Sequence, residues 1–429
     1  MVIPDSYMNS SRYDTNSGNR VGDIKDGSTL KVITYTYYNS PWSLGSGDDV
    51  RVHKILSSLA KTITKVITFN LSALVADCYT VVIDNVVYIS MPRKFYRFIS
   101  KIVRWRRHYD LNPLTKLTHY IDELIVAIKL HRDLGKANMI MVFGSMSLFS
   151  FMLRLLKVKR TIVYDPLANY AQTLYLRSRK SLLEFLKYGL YLALHKLQIR
   201  SSDVVIYPSR TDLDNAVSMF KPARSSIIPN PLPICFDSLE EYTSLRNRRK
   251  DFNRTYFVLL AGGRGKGNEE AVRLTMELFN EFPPEKFRLI ITGPWLDVKK
   301  LVRNPSIELV GMVSKEKLKE ILAMCDYGLS PIFSHAAGTF LKVLAYVASG
   351  LNIIASPQSL QGINLSTLRD RIVLIARNFN EYKSAVKKAL LLGPRSMANN
   401  IITCRERDKL LRHYIEEFID YLKTHHQIP

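Results

Sequence analysis

Long apolar runs, acidic side chains and cysteines are all in short supply in this chain, and each shortage closes off a class of protein. No stretch reaches the roughly 18 to 20 uninterrupted apolar residues that a membrane-spanning helix needs. The most apolar segment, SLLEFLKYGLYLALHKL, is broken by Glu184, Lys187 and His195. The cysteines Cys78, Cys235, Cys325 and Cys404 stand far apart, with no CxxC pair and no neighbouring histidine cluster. That spacing argues against a zinc site or a disulfide scaffold, and all four are expected to be buried thiols in a reducing compartment. Residues 1–29 lack the basic start and apolar middle of a secretory signal and read as a polar tail. The expectation is a cytoplasmic protein, free or peripheral on the cytoplasmic membrane face. Only 38 Asp and Glu oppose 61 Lys and Arg, a formal net charge of +23. Such an excess calls for a polyanionic partner: nucleic acid, an anionic membrane surface or a phosphate-bearing small molecule.

What is present suffices for two cores. At 429 residues the chain exceeds one ordinary domain. From residue 30, short β-rich runs alternate with helical stretches: LKVITYTYY, VITFNLS, TVVIDNVVYISM, MIMVF, TIVYDP and DVVIYPS are strands, and VRVHKILSSLAK is a helix. A Pro- and Arg-rich stretch, IIPNPLPICFDSLEEYTSLRNRRKDFNRT, suits a linker. The pattern then restarts with YFVLLAGG, FRLIITGP, IELVGMV, CDYGLSPI, NIIAS and RIVLIA. Alternation of this kind predicts α/β architecture: two Rossmann-like, doubly wound domains, with a cleft between the carboxyl ends of their sheets. The domains expected are 30–234 and 235–404, followed by a terminal helix, 405–429, whose Leu411, Tyr414, Ile415, Phe418 and Leu422 recur at helical spacing and so pack on something.

Two loops of the second domain have the chemistry of anion seats. In LLAGGRGKGNEE, Gly262, Gly263, Gly265 and Gly267 allow a tight turn, and Arg264 and Lys266 place cations before a helix start. Free N–H groups, the helix dipole and two cations favour a phosphate there. The Lys-Ser/Thr ending of a Walker loop is missing, so this is not one. Further on, a helix is expected over Thr339 to Ala348, with the Gly338 and Thr339 amides, the Thr339 hydroxyl and the Lys342 ammonium converging on a second anion. Two such seats suit a diphosphate. The same residues would also serve as a solvated loop and a snorkelling lysine. Asp165, ending TIVYDP, is placed to orient an acceptor hydroxyl or simply to form the turn before Pro166.

The ordered set VVIYPS, IIPNP, LLAGGRGKG, IITGP, IELVGMVSKEKLKEILAMCDYGLSPI and GTFLKVLAYVASGLNIIAS resembles the GT-B glycosyltransferases of the family 4, glycosyl transferases group 1 type. That resemblance spans residue 30 to about 400. It implies a nucleotide-sugar donor bound by the second domain, with Gly293 of IITGP on the donor side. It also implies an acceptor-side loop at Gly45, Ser46 and Gly47, a last helix that crosses back to the first domain, and retention of anomeric configuration. Arg264 and Lys266 would be the catalytic cations, stabilising charge on the departing diphosphate. No cofactor is implied, since the nucleotide sugar is a substrate, and no DxD-type carboxylate pair ends a strand to hold a metal. Ala337 and Ala345 stand where the family commonly carries glutamates, and Ser145 where many relatives carry a histidine. A nucleotide- or glycan-binding relative without turnover, or a sugar-nucleotide epimerase, would fit the same architecture.

One further segment, MPRKFYRFISKIVRWRRHY, sorts cations and aromatic or aliphatic residues onto opposite sides of a helix. Residues 93–108 therefore suit an anionic membrane interface, where a lipid-linked glycan acceptor would be met. A core-packed helix with a solvated basic side has the same pattern. Nucleic acid is a weaker match, because no recognition motif accompanies the charge.

Overall fold

The computed structural model describes residues 31–36, 47–62, 65–72, 79–92, 113–144, 147–167, 181–263, 265–333, 340–363, 372–394, 401–425 and 428. The basic segment 93–108 lies outside them.

The first sheet is built from β1 (Lys31–Thr36), β2 (Lys65–Ser72), β3 (Tyr79–Ile83), β4 (Val86–Pro92), β5 (Met139–Phe143), β6 (Thr161–Asp165), β7 (Val204–Tyr207) and β8 (Ser225–Ile227). Its strand order is β3-β4-β2-β1-β5-β6-β7-β8, parallel except for the β3–β4 hairpin. That hairpin turns on Asp84 and Asn85, both at positive φ (48° and 65°), as a two-residue turn matched to strand twist requires. Helices α1 (Gly47–Thr62), α2 (Pro113–Leu134), α3 (Phe149–Leu155), α4 (Leu182–Arg200) and α5 (Arg210–Phe220) accompany it. The sequence anticipates every strand of this sheet except β8, a three-residue run at its edge.

The second sheet runs β11-β10-β9-β12-β13-β14 and is wholly parallel. Its strands are β9 (Thr255–Leu260), β10 (Phe287–Thr292), β11 (Ile307–Gly311), β12 (Tyr327–Ser330), β13 (Asn352–Ala355) and β14 (Val373–Ile375). With it go α6 (Leu239–Arg246), α7 (Lys266–Phe279), α8 (Lys315–Met324), α9 (Leu341–Ala348) and α10 (Phe379–Leu392). β9, β10 and β12 are buried almost throughout, which is why they read as continuous apolar runs rather than alternating ones.

The last helix, α11 (Cys404–Thr424), opens on a capping box in which Thr403 and Glu406 satisfy each other's backbone N–H groups. It packs on α1, and its Leu411, Ile415, Phe418, Ile419 and Leu422 join the core on that face of the first sheet. Among the described residues no helix is long and apolar enough to cross a membrane.

Two expectations are corrected by the coordinates. Cys235 and Cys404 are not free thiols: they form a disulfide, with Cα atoms 4.9 Å apart and 169 positions between them in sequence. The chain returns there because Phe236 and Thr403 form a β-bridge, with Cys404 N–H donating to Phe236 O at 2.8 Å. Sequence spacing gave no hint of that meeting. Cys325 is a free, buried thiol, and its pKa is pushed up by burial. Cys404→Ser is expected to lower the unfolding free energy by about 2 to 5 kcal/mol, the usual cost of removing a native bridge. An unchanged denaturant midpoint in that variant, with and without reducing agent, would show that the bond does not form.

The Arg-rich stretch before β9 is also not a solvated linker. Arg246 and Arg249 are buried and converge on the carboxylate of Asp326, which is fully excluded from solvent. Oδ1 accepts from Arg246 Nη2 and Arg249 Nη1, each at 2.9 Å, while Oδ2 accepts from Arg249 Nη1 and from the Tyr256 N–H, also at 2.9 Å. Arg249 further stacks over the Tyr256 ring, 4.2 Å from its centroid. The segment is therefore clamped to the start of β9 and β12.

Candidate active site

In the second sheet the chain builds outward from β9 through β10 to β11, then returns to the other side of β9 with β12. The adjacent strands β9 and β12 are thus the topological switch point. The helices that follow them, α7 and α9, pack on opposite faces of the sheet, the arrangement in which open α/β folds bind ligands at the carboxyl edge. The connecting loops are the Gly-rich turn before α7 and the segment before α9, the two that carry the proposed cations.

Two aromatic residues fix this edge. The Tyr346 hydroxyl accepts from the Leu260 N–H at 2.9 Å and donates to Leu329 O at 3.0 Å, joining β9 to β12 just where they part. Its ring lies on Gly328, where an added Cβ would come within 2.3 Å of the ring, so only glycine fits. Trp295 Nε1–H donates to Ala261 O at 2.7 Å, at the end of β9. Gly293 lies beside the same carbonyl at φ +116°, and a Cβ there would stand 2.0 Å from it. Close backbone approach therefore explains Gly293 without any ligand.

The two loops meet. The Lys342 ammonium donates to Asn268 Oδ1 at 2.5 Å, and Asn268 Nδ2 donates to Gly263 O at 2.8 Å. One amide side chain thereby ties the lysine of α9 to the Gly-rich turn before α7. Glu270 reinforces the junction by accepting the Phe333 N–H at 3.3 Å, and Gly267 is packed under Ile332, whose Cγ2 would lie 3.1 Å from an added Cβ. Neither Asn268 nor Glu270 stood out in the sequence. NEE after a glycine loop reads as an ordinary helix start until the fold brings α9 beside it.

Gly262, Gly263, Gly265 and Lys266 are exposed. An added Cβ at any of those three glycines would meet no described atom within 4 Å. The start of α7 has Gly265 as its N-cap, with no side chain capping it. Its first N–H groups, beside Lys266, thus have the polarity to meet an anion. Lys342 is half-buried, 5.8 Å from the centroid of the Phe340 ring, and burial lowers its ammonium pKa to about 7. Helix α9 begins at Leu341 with Phe340 as its N-cap, not at Thr339 as expected. Arg264, Gly338 and Thr339 lie outside the described residues, as do Ala337, Gly45, Ser46 and Ser145. Ala345, matching the family's second glutamate, is buried in the core at 2% exposure.

In the first sheet the corresponding switch point lies between β1 and β5. Gly47 opens α1 there. Behind the loop that follows β5, buried Glu123 of α2 accepts the Leu148 N–H at 2.9 Å and stands 3.1 Å from His119. The sequence singled out neither residue, since both fall within an amphipathic helical pattern.

Asp165 does not face an acceptor. Its Oδ2 accepts from Arg51 Nε and Nη2 at 3.1 and 2.8 Å, its Oδ1 from the Leu167 N–H at 2.8 Å, and both partners of this ion pair are 1% exposed. Arg51 also donates through Nη1 to Ile228 O and Asn230 Oδ1, at 2.8 and 3.0 Å. The Asp165–Arg51 pair thus fastens α1 and β6 to the IIPNP segment as it leaves the first sheet. The hydrophobic pattern of α1 gave no sign that Arg51 points inward.

Comparison with known proteins follows the same lines. Residues 256–391 match the family described as "Glycosyl transferases group 1". Among solved structures, sucrose-phosphate synthase from Thermosynechococcus elongatus is similar at a TM-score of 0.64 and 13% identity, over 90% of this chain and 94% of that one. A trehalose-6-phosphate enzyme from E. coli, bound with UDP-2-fluoro glucose, gives 0.61 and 16%, over 92% and 99%. WaaG, a glycosyltransferase involved in lipopolysaccharide biosynthesis, gives 0.58 and 15%, over 90% and 95%. No curated protein sequence matches significantly. The architecture shared with these structures is the GT-B fold.

Proposed function

Starting from a GT-B glycosyltransferase fold whose second half carries the group 1 sequence pattern, we propose that this protein transfers a sugar from a nucleotide-activated donor to a glycan acceptor. The observation that carries the reading is the junction of the two switch-point loops through Asn268, which brings Lys342 beside the glycine turn and the uncapped start of α7.

The chemistry follows from where charge develops. As the bond from the anomeric carbon to the diphosphate breaks, its electron pair passes to the phosphate oxygen while positive charge grows on the sugar. Backbone N–H groups at the start of α7, with Lys266 and Lys342, would hold that growing negative charge more strongly than they hold the intact donor. That difference lowers the barrier. On this reading the cations supply the electrophilic help that a metal supplies elsewhere, and the reaction retains anomeric configuration, as the family resemblance implies. The acceptor is proposed to be lipid-linked and met at the cytoplasmic membrane face, with residues 93–108 as the anionic-surface contact.

Incubation with a panel of nucleotide sugars, UDP-glucose first, should release nucleoside diphosphate with at least one donor. Lys266→Ala should abolish that release and leave the thermal midpoint unchanged, because Lys266 is exposed. Release at the wild-type rate in this variant would rule the mechanism out. Alanine at 345, which offers no carboxylate where the resembled family carries one, favours a second reading, a relative that binds nucleotide or glycan without turnover. Saturable binding of a nucleotide sugar with no release from any donor would assign that one.

A further inference from the structure

Helix α4 is apolar on two sides, and the first sheet needs only one of them. Its inner side is accounted for: Tyr191 and Ile199 belong to the core, His195 is buried against Tyr191 and Phe220, and Gln198 donates to Ser150 of α3 at 2.7 Å. On the outer side Leu182, Phe185, Leu186 and Leu190 are 76%, 57%, 59% and 57% exposed, with Leu197 continuing the stripe at 41%. A soluble helix with one buried face normally turns charge outward, not a second apolar stripe. The stripe also extends sideways. α3 packs between α2 and α4, and it exposes Leu155 at 64%, while α2 exposes Ile128 at 51%.

The charge around this face selects its partner. Lys129, Lys159, Arg160, Lys196 and Arg200 are exposed on the same helical layer or the turns beside it. In sequence, residues 177–200 hold six Lys and Arg and one carboxylate, Glu184. Two copies of such a face would bring like charges together, whereas an anionic lipid surface would neutralise them.

We propose that the outer face of α4, with Leu182, Phe185, Leu186 and Leu190 as its apolar contacts and the surrounding cations as its electrostatic contacts, docks this protein on an anionic lipid bilayer. The inference deepens the membrane reading given above but rests on a different element from residues 93–108, and it does not depend on sugar transfer.

Flotation with vesicles of phosphatidylglycerol in phosphatidylcholine, without donor or acceptor, tests it. The full-length protein should float with these vesicles, more weakly as salt rises, and not with phosphatidylcholine alone. Phe185→Ser/Leu190→Ser should reduce partitioning about ten-fold or more, because two exposed apolar contacts are lost. Lys196→Glu/Arg200→Glu should weaken it and flatten its salt dependence. Since all four side chains are exposed, thermal midpoints should not move, and neither variant alters residues 93–108. The proposal is overturned if the wild type stays unbound, or if both variants float like the wild type. It is also overturned if sedimentation shows a dimer that Phe185→Ser/Leu190→Ser dissolves while flotation is unaffected. Release of nucleoside diphosphate, measured separately, would stand or fall without reference to any of these results.

Discussion

Asp326→Ala should destabilise the second unit by about 3 to 5 kcal/mol, the typical cost of removing one partner from a buried ion pair. The effect comes less from lost attraction than from what is stranded. Arg246 and Arg249 would remain inside the fold with no counter-charge, and the Tyr256 N–H would lose its acceptor. Arg249 has carbonyl partners at Asp251 and Arg254, so its guanidinium cannot simply swing out to water without breaking those bonds as well. Denaturant unfolding would give the magnitude, and hydrogen exchange at Tyr256 would locate it. A loss below about 1 kcal/mol, the value of an exposed pair, would show that water reaches this cluster.

Lys342→Ala should behave in the opposite way, cutting sugar transfer by about a hundred- to a thousand-fold, as loss of one electrophilic donor does, with little net loss of stability, because the lost hydrogen bond to Asn268 is offset by the burial cost removed. Burial disfavours the ammonium of Lys342, so its removal takes away a cost. The sign of the pH dependence follows. An unfolded lysine keeps its proton to about pH 10.4, whereas folded Lys342 releases it near 7. Between those values the unfolded chain holds more protons, so this group's contribution makes stability rise with pH; below 7 its penalty is present in full. Ligand binding runs the other way. A nucleotide sugar keeps both phosphate charges across this range and is attracted to the ammonium form. Its affinity should therefore be highest below about pH 7 and weaken above it, with the decline displaced upward by the bound anion itself. Titrations across that range should show the trend in the wild type and a flat profile in Lys342→Ala. A wild-type profile as flat as the variant's would remove Lys342 from the site.

Strands such as β5, β7 and β9 were legible in the sequence because each is a short, mostly apolar run followed by small or polar residues, a pattern set by burial on both faces. β8 escaped because three edge residues carry no such pattern. The glycine turn and Lys342 stood out in the sequence as separate candidates for binding an anion. Their connection was not, since Asn268 and Lys342 are 74 positions apart and only the β9–β12 crossing makes them neighbours. The turn that Asp165 forms before Pro166 was legible, but its ion pair and that of the arginines before β9 escaped for one reason. A charged residue reads as solvated unless its partner is visible, and Arg51 and Asp326 lie 114 and 77 positions from Asp165 and Arg249.

The bond between Cys235 and Cys404 closes residues 235–404, and with them the whole second sheet, into a covalent ring from which the first sheet hangs at one end and the last helix at the other. A protease that cuts once inside that ring opens it without releasing a fragment. Nicked protein would then differ from intact protein by only one added water and run as a single species on a denaturing gel until a reductant is added, when two pieces separate. The scaffold is thus one in which backbone continuity and molecular integrity are different properties, and a surface loop around the second sheet could be severed while the last helix stays on the face it covers.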